Sequence, residues 1–165
     1  MTSVDLLNVL KAETIKITKD ILMPVNIKSG EAANESRSAK VHLMRLPDEK
    51  ADWKKAPYVI HQAVTGNNTQ VSGQPIACRV DIRSVFCVYS RDQQEGELML
   101  LNLMERIRLH LLEQVVIGKR YELDLAAGLQ WMVYPDTAYP YHMGEMVSTW
   151  KLPKINRKVD LLNGY

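Results

Sequence analysis

The sequence is poor in several things that usually announce a function. It has two cysteines in 165 residues, Cys78 and Cys87, too few for a disulfide framework. Both fall in what reads as one strand. Nine residues at about 3.3 Å each would hold them roughly 30 Å apart, beyond bridging range. The expectation is a reduced protein made in the cytoplasm. Long hydrophobic runs are missing too. The longest is Val85-Phe86-Cys87-Val88-Tyr89, whereas a membrane-spanning helix needs about 20 apolar residues. The opening Met1-Thr-Ser-Val-Asp-Leu-Leu has an acid early and no apolar stretch, so it does not read as a secretory signal. Neither charge sign dominates: 21 Lys and Arg stand against 19 Asp and Glu, for a net +2. That argues against a polyanion-coating protein and an acidic mimic.

Chemical motifs are equally scarce. The glycines form neither GxGxxG nor GxxxxGK, so no phosphate loop is indicated. No GxSxG elbow occurs. His42, His61, His110 and His142 fall on different predicted elements, none with a His or Cys at metal-ligand spacing. The cysteines read as core thiols. Glu95 and Glu97 sit where a helix start favours negative charge, and Glu122 and Asp124 alternate with leucines as the wet face of a strand. No enzyme activity, cofactor or metal is expected.

What is present is a core. Apolar residues make up 46% and charged residues 24%, ordinary globular values. The whole chain, 1–165, reads as a single domain with exposed loops near 28–38, 66–75 and 134–144 and a C-terminal tail over 153–165. Leu7, Leu10, Ile17 and Ile21 predict a helix over about 3–22, capped by Ser3 and stopped before Pro24. Strands are predicted at 57–65, 77–89, 129–134 and 145–152, with short β pieces at 41–46 and 121–125. Between Ala77 and Tyr89, Cys78, Val80, Ile82, Phe86 and Val88 alternate with Arg79, Asp81 and Arg83, a half-buried antiparallel pattern.

The most strongly marked element is a helix over about 92–117. Ser90 or Asp92 can cap it, and Gly118 is placed as its C′ residue. Its core stripe is Leu100, Leu103, Met104, Ile107, Leu111 and Val115. A second apolar strip, Leu98, Leu101, Leu109, Leu112 and Val116, lies beside the first, broken by Glu105, leaving Asn102, Arg106, His110 and Glu113 as the polar face. A helix on a sheet needs about one stripe. The surplus therefore predicts contact with the N-terminal helix, with a neighbouring subunit, or with both. The predicted fold is α/β of the α+β type: a mainly antiparallel sheet packed against an N-terminal helix and a long central helix.

Partner-binding candidates follow. Seven of the eleven aromatic residues lie in the last 45 positions. Trp131 and Trp150 read as core. Tyr139 and Tyr141, with the neighbouring His142, lie in a Pro-shaped loop and are residue types suited to interfaces. Lys151, Lys154, Arg157 and Lys158 form a basic cluster opposed by Asp160. It lacks the aromatic interleaving of a base-stacking surface and reads as a solvated tail or a partner-docking arm. The interface candidates are thus Leu98, Leu101, Leu112, Val116, Tyr139, Tyr141, His142, Lys154, Arg157 and Lys158.

From residue 77 onward the order of segments becomes familiar: Val88-Tyr-Ser-Arg-Asp-Gln-Gln-Glu-Gly96, Leu100-Leu-Asn-Leu-Met-Glu-Arg-Ile-Arg108, Tyr121-Glu-Leu-Asp-Leu125, Leu129-Gln-Trp131, and Tyr139-Pro-Tyr-His-Met-Gly-Glu-Met-Val-Ser-Thr-Trp-Lys-Leu-Pro153. This half of the chain resembles the tail terminator, or tail completion, proteins of long-tailed bacteriophages and prophages. Its best motif is Gly144–Pro153. The first 76 residues match only in outline. The resemblance implies a virion structural protein, made in the host cytoplasm, forming a homohexameric ring at the head-proximal end of the tail. Its implied partners are further copies of itself, the tail tube protein, the head–tail connector or a neck protein, and in contractile tails the sheath protein. DNA would only pass through, and a near-neutral charge suits that. A head-to-tail joining (neck) protein is the alternative station; a small-molecule-binding domain or an enzyme is a further one.

Overall fold

A computed structural model describes residues 2–26, 35–48, 56–136 and 138–156, and the statements below concern those residues. Their elements are α1 (Ser3–Thr18), β1 (Met23–Pro24), β2 (Ser36–Arg37), β3 (Lys40–Leu43), β4 (Tyr58–Thr69), β5 (Ile76–Tyr89), α2 (Gln93–Gln114), β6 (Val116–Ile117), β7 (Tyr121–Leu123), β8 (Leu129–Val133) and β9 (Tyr141–Ile155). The fold is α+β, with two helices and a large, mostly antiparallel sheet. Sheet order is β3-β4-β5-β9-β7-β6, and β8 also pairs with β9. One edge of β9 meets β5 along nearly its whole length; the other is shared by β7 near Trp150 and β8 near Met146. Only the β3–β4 pair is parallel.

The alternation in β5 and β9 places the core. Side chains of a strand point to opposite faces in turn. Val80, Ile82, Phe86 and Val88 from β5 therefore join Met146 and Trp150 from β9 on one face, under Leu100, Leu103, Met104 and Ile107 of α2. Leu6, Leu7 and Leu10 of α1 complete the same cluster. Gly144, opposite Phe86 in the ladder, lets the layers approach: a Cβ there would lie 2.8 Å from both Met104 Sδ and the Met132 carbonyl oxygen. The segment Gly144–Pro153 is thus a packing pattern. Gly144, Met146, Ser148 and Trp150 are buried, alternating with Glu145, Val147, Thr149 and Lys151, which are half-buried or exposed.

Several predicted boundaries shift, each for a local reason. Thr2 caps α1 in place of Ser3. Its hydroxyl accepts from the Asp5 N–H while the Asp5 carboxylate accepts from the Thr2 N–H, the reciprocal box that holds a helix start. The helix ends at Thr18 rather than near 22, so Ile21 lies beyond it. Val115, in the left-handed half of backbone space at φ 57°, ends α2 at Gln114. Val116 then pairs with Glu122 and is not helical, and Gly118 falls in the β6–β7 turn.

The predicted loops shrink. Gly66–Thr69 continue β4, paired with Ala77–Val80, which leaves 70–75 as the turn. Residues 141–144 and 153–155 belong to β9. Of the 28–38 loop, Ser36 and Arg37 pair with β1, and its earlier part lies outside the described residues. Trp131, read as core, is 48% exposed, because β8 lies at the sheet margin. Asp124, read as a wet strand residue, is buried just past β7, 3.3 Å from Arg79 Nε.

Candidate functional site

A buried polar line crosses the core. His61 of β4 lies between Thr14 Oγ1, 2.9 Å from its Nε2, and Ser84 Oγ, 2.8 Å from its Nδ1. The pairing looks like a hydroxyl beside a base, as nucleophilic catalysis requires. All three side chains are buried, however, and His61 is wholly so, leaving a substrate no approach. Burial also pushes the imidazole down to about 4. Cys87 is similarly inert, its thiol pushed up to about 11 by burial. Among the described residues, no group of three or more His, Cys, Asp or Glu side chains is placed to hold a metal ion. None of their helices is long and apolar enough to cross a membrane.

The face of the sheet away from the helices carries paired charges. Arg83 Nε donates to Glu145 Oε2 at 2.6 Å, and Tyr134 Oη donates to the same oxygen at 2.6 Å. These two hydrogen bonds, the tyrosine's first, hold the Glu145 carboxyl below the usual range. Asp81 accepts from Thr149 Oγ1 at 2.6 Å and from Thr65 Oγ1, which lowers it likewise. Lys151 reaches Glu122 at 2.7 Å. Each of these charges has a partner of opposite sign or a hydroxyl, so this part of the face reads as a solvated, self-satisfied surface. At its lower end, Ala56, Cys87 and Tyr89 form a small apolar cluster with Tyr58, Tyr141 and Met143.

The expected apolar surplus on α2 is there and stays outside. Leu98 is 59% and Leu109 47% exposed, and Val116, now on β6, is also exposed. Leu101 and Leu112 are half-buried, and Leu112 packs on the core margin. α1 does not cover the strip. It meets the polar flank instead: Arg106 Nη1 donates to the Ile17 carbonyl and to Asp20, and His110 Nε2 lies 3.1 Å from Glu13. The residues read as the clean polar face are therefore where the two helices join.

Beyond the tip of α1, Leu22 is 66% exposed. Together with Leu98, Met99, Asp92 and Glu95 it lines a groove of about 520 Å³ at the start of α2. Asp92 caps that helix, its Oδ1 accepting from the Glu95 N–H at 2.9 Å. The sequence flagged Leu98 but not Leu22, whose exposure depends on the helix ending at Thr18.

The remaining candidates separate. Tyr139 is exposed, its hydroxyl donating to the Arg91 carbonyl at 2.8 Å. Tyr141 is half-buried, stacked obliquely on Tyr89 and accepting from Asn26 Nδ2 at 3.0 Å. His142, expected at an interface, is buried instead. Residue 142 is an inward position of β9, and its ring Nε2 lies 3.2 Å from the Ser90 carbonyl oxygen and fills the space beside Gly96. Lys154 is exposed near the end of β9, and Arg157 and Lys158 lie outside the described residues. No protein-family model matches this chain, and no curated protein matches it.

Proposed function

We propose that this chain is a virion structural protein: a tail terminator that forms a ring on the head-proximal end of a phage tail tube, ends tube growth and presents the surface on which the head connector docks. The observation that carries the proposal is the uncovered apolar strip of the helix 93–114, with Leu98 and Leu109 in solvent while the core beneath is complete. Apolar side chains gathered into one patch outside a finished core mark a protein–protein surface, and Leu22 beside Leu98 enlarges this one. The C-terminal resemblance supplies the class of assembly. Its motif at 144–153 is explained by packing, so it speaks for a shared fold before it speaks for a shared task.

The mechanism is steric. Such a subunit copies enough of the tube's end to bind it and offers no copy of that end to the next ring. Head-to-tail contacts that close produce a ring; those that do not close produce a filament. The test is tube assembly. Tube protein polymerising with this chain should give tubes of arrested length carrying it at one end by electron microscopy. Tubes of unchanged length with no bound chain would refute the proposal. Binding to a portal or neck complex without any effect on tubes would move the protein to the head–tail joint.

A further inference from the structure

We infer that the groove between Leu22 and Leu98 seats the C-terminal segment of a second copy of this chain, the stretch Asn156–Leu162. The inference rests on the part of the proposed function in which copies of the chain meet, and not on the tail tube.

Chemistry selects the occupant. Five of the nine residues that line the groove are apolar; the others are Asp92, Glu95, Gln94 and Asn102, with no Lys or Arg. Asn156-Arg-Lys-Val-Asp-Leu-Leu162 places two cations just ahead of Val159, Leu161 and Leu162, against the one acid Asp160, while Lys154 and Ile155 stay in β9. A basic stretch followed by aliphatic residues complements an acidic rim around an aliphatic trough.

Reach selects the copy. The groove lies at the end of the sheet where β9 begins: Asp92 is two residues past Ser90, whose N–H donates to the Pro140 carbonyl at 3.0 Å. The segment leaves from the other end of β9, a strand of 15 residues and so roughly 45 Å long. Leu161 and Leu162 follow Ile155 by six and seven positions, a reach of about 25 Å at full extension. They therefore cannot enter the groove of their own subunit. A neighbour's groove brought near the end of β9 is within range. Because segment and groove are different patches at opposite ends, the contact is heterologous, the kind that closes rings. One such contact is small, and ring closure multiplies its effect.

Full-length variants test this. Leu98→Lys repels the basic segment, and Leu161→Asp/Leu162→Asp spoils the segment while leaving the groove intact. Each variant alone should self-associate at least tenfold more weakly than wild type by light scattering. Mixed together they should form a heterodimer that grows no further, since one intact groove and one intact segment remain. If Leu98→Lys changes the thermal melt, Leu22→Lys on the opposite lip takes its place. A wild-type ring that both variants still form overturns the groove–segment contact and leaves the ring reading standing. A mixture that stays monomeric also overturns the contact, as does a wild type that is monomeric at every concentration; if that monomer also ignores tube subunits, the ring reading falls with it.

Discussion

His61 sits between two hydroxyls in the centre of the molecule, and its environment favours the neutral ring. Burial depresses its titration to about 4 in the folded chain, against about 6.5 when unfolded. Above pH 6.5 the ring is neutral in both states and stability does not depend on it. Between 6.5 and 4 the unfolded chain takes up a proton that the folded chain refuses, so stability falls as pH falls. The loss approaches roughly 3 kcal/mol by pH 4. Urea unfolding at pH 7.5 and pH 4.5 measures it, and His61→Leu should flatten the difference. Gly96 gives a second prediction at this scale. Glycine inside a helix is normally worth replacing with alanine, but here a Cβ would fall 2.3 Å from the His142 ring. Gly96→Ala should destabilise by about 1–3 kcal/mol, read as a lower Tm, and an unchanged or raised Tm would show that His142 moves aside freely.

At the scale of elements, the two helices are held by different devices. α1 depends on its start: Thr2→Ala removes the hydroxyl that caps Asp5 and should cost about 1 kcal/mol, measured by chemical denaturation. Its later half carries β-branched residues that disfavour a helix, yet it continues because Thr14 and Thr18 face inward and are buried, and Thr14 bonds His61. That support comes from a residue 47 positions away, which no local pattern contains. Residues 77–89 were legible because Cys78 to Val88 alternate over a long run. The continuation of β4 through Gly66-Asn-Asn-Thr69 was not, since those residue types favour turns and are held straight only by their pairing with β5. Interface candidates divided the same way. The exposure of Leu98 was legible from helical spacing, whereas the burial of His142 depends on β9 starting at Tyr141 rather than at 145.

At the scale of the whole molecule, one sheet face is closed by helices and the other carries paired charges and hydroxyls. Among the apolar residues in solvent are Leu98 and Leu109 on the outward side of α2, and Trp131 and Met132 on the marginal strand β8. Truncating surface residues of a monomer changes little. Leu98→Ala and Leu109→Ala should therefore leave stability within about 0.5 kcal/mol while weakening self-association. A comparable loss in the melting of the isolated subunit would mean that these leucines serve the fold.

The central claim is that these surfaces exist to hold other protein molecules, copies of this chain first. Light scattering of the purified chain across a concentration series tests it most directly. The expected result is a defined mass of several times 18.8 kDa for the chain alone, or, on addition of tube subunits, its shift into a larger complex with them. A mass of one chain at every concentration, unchanged by tube subunits, would contradict it.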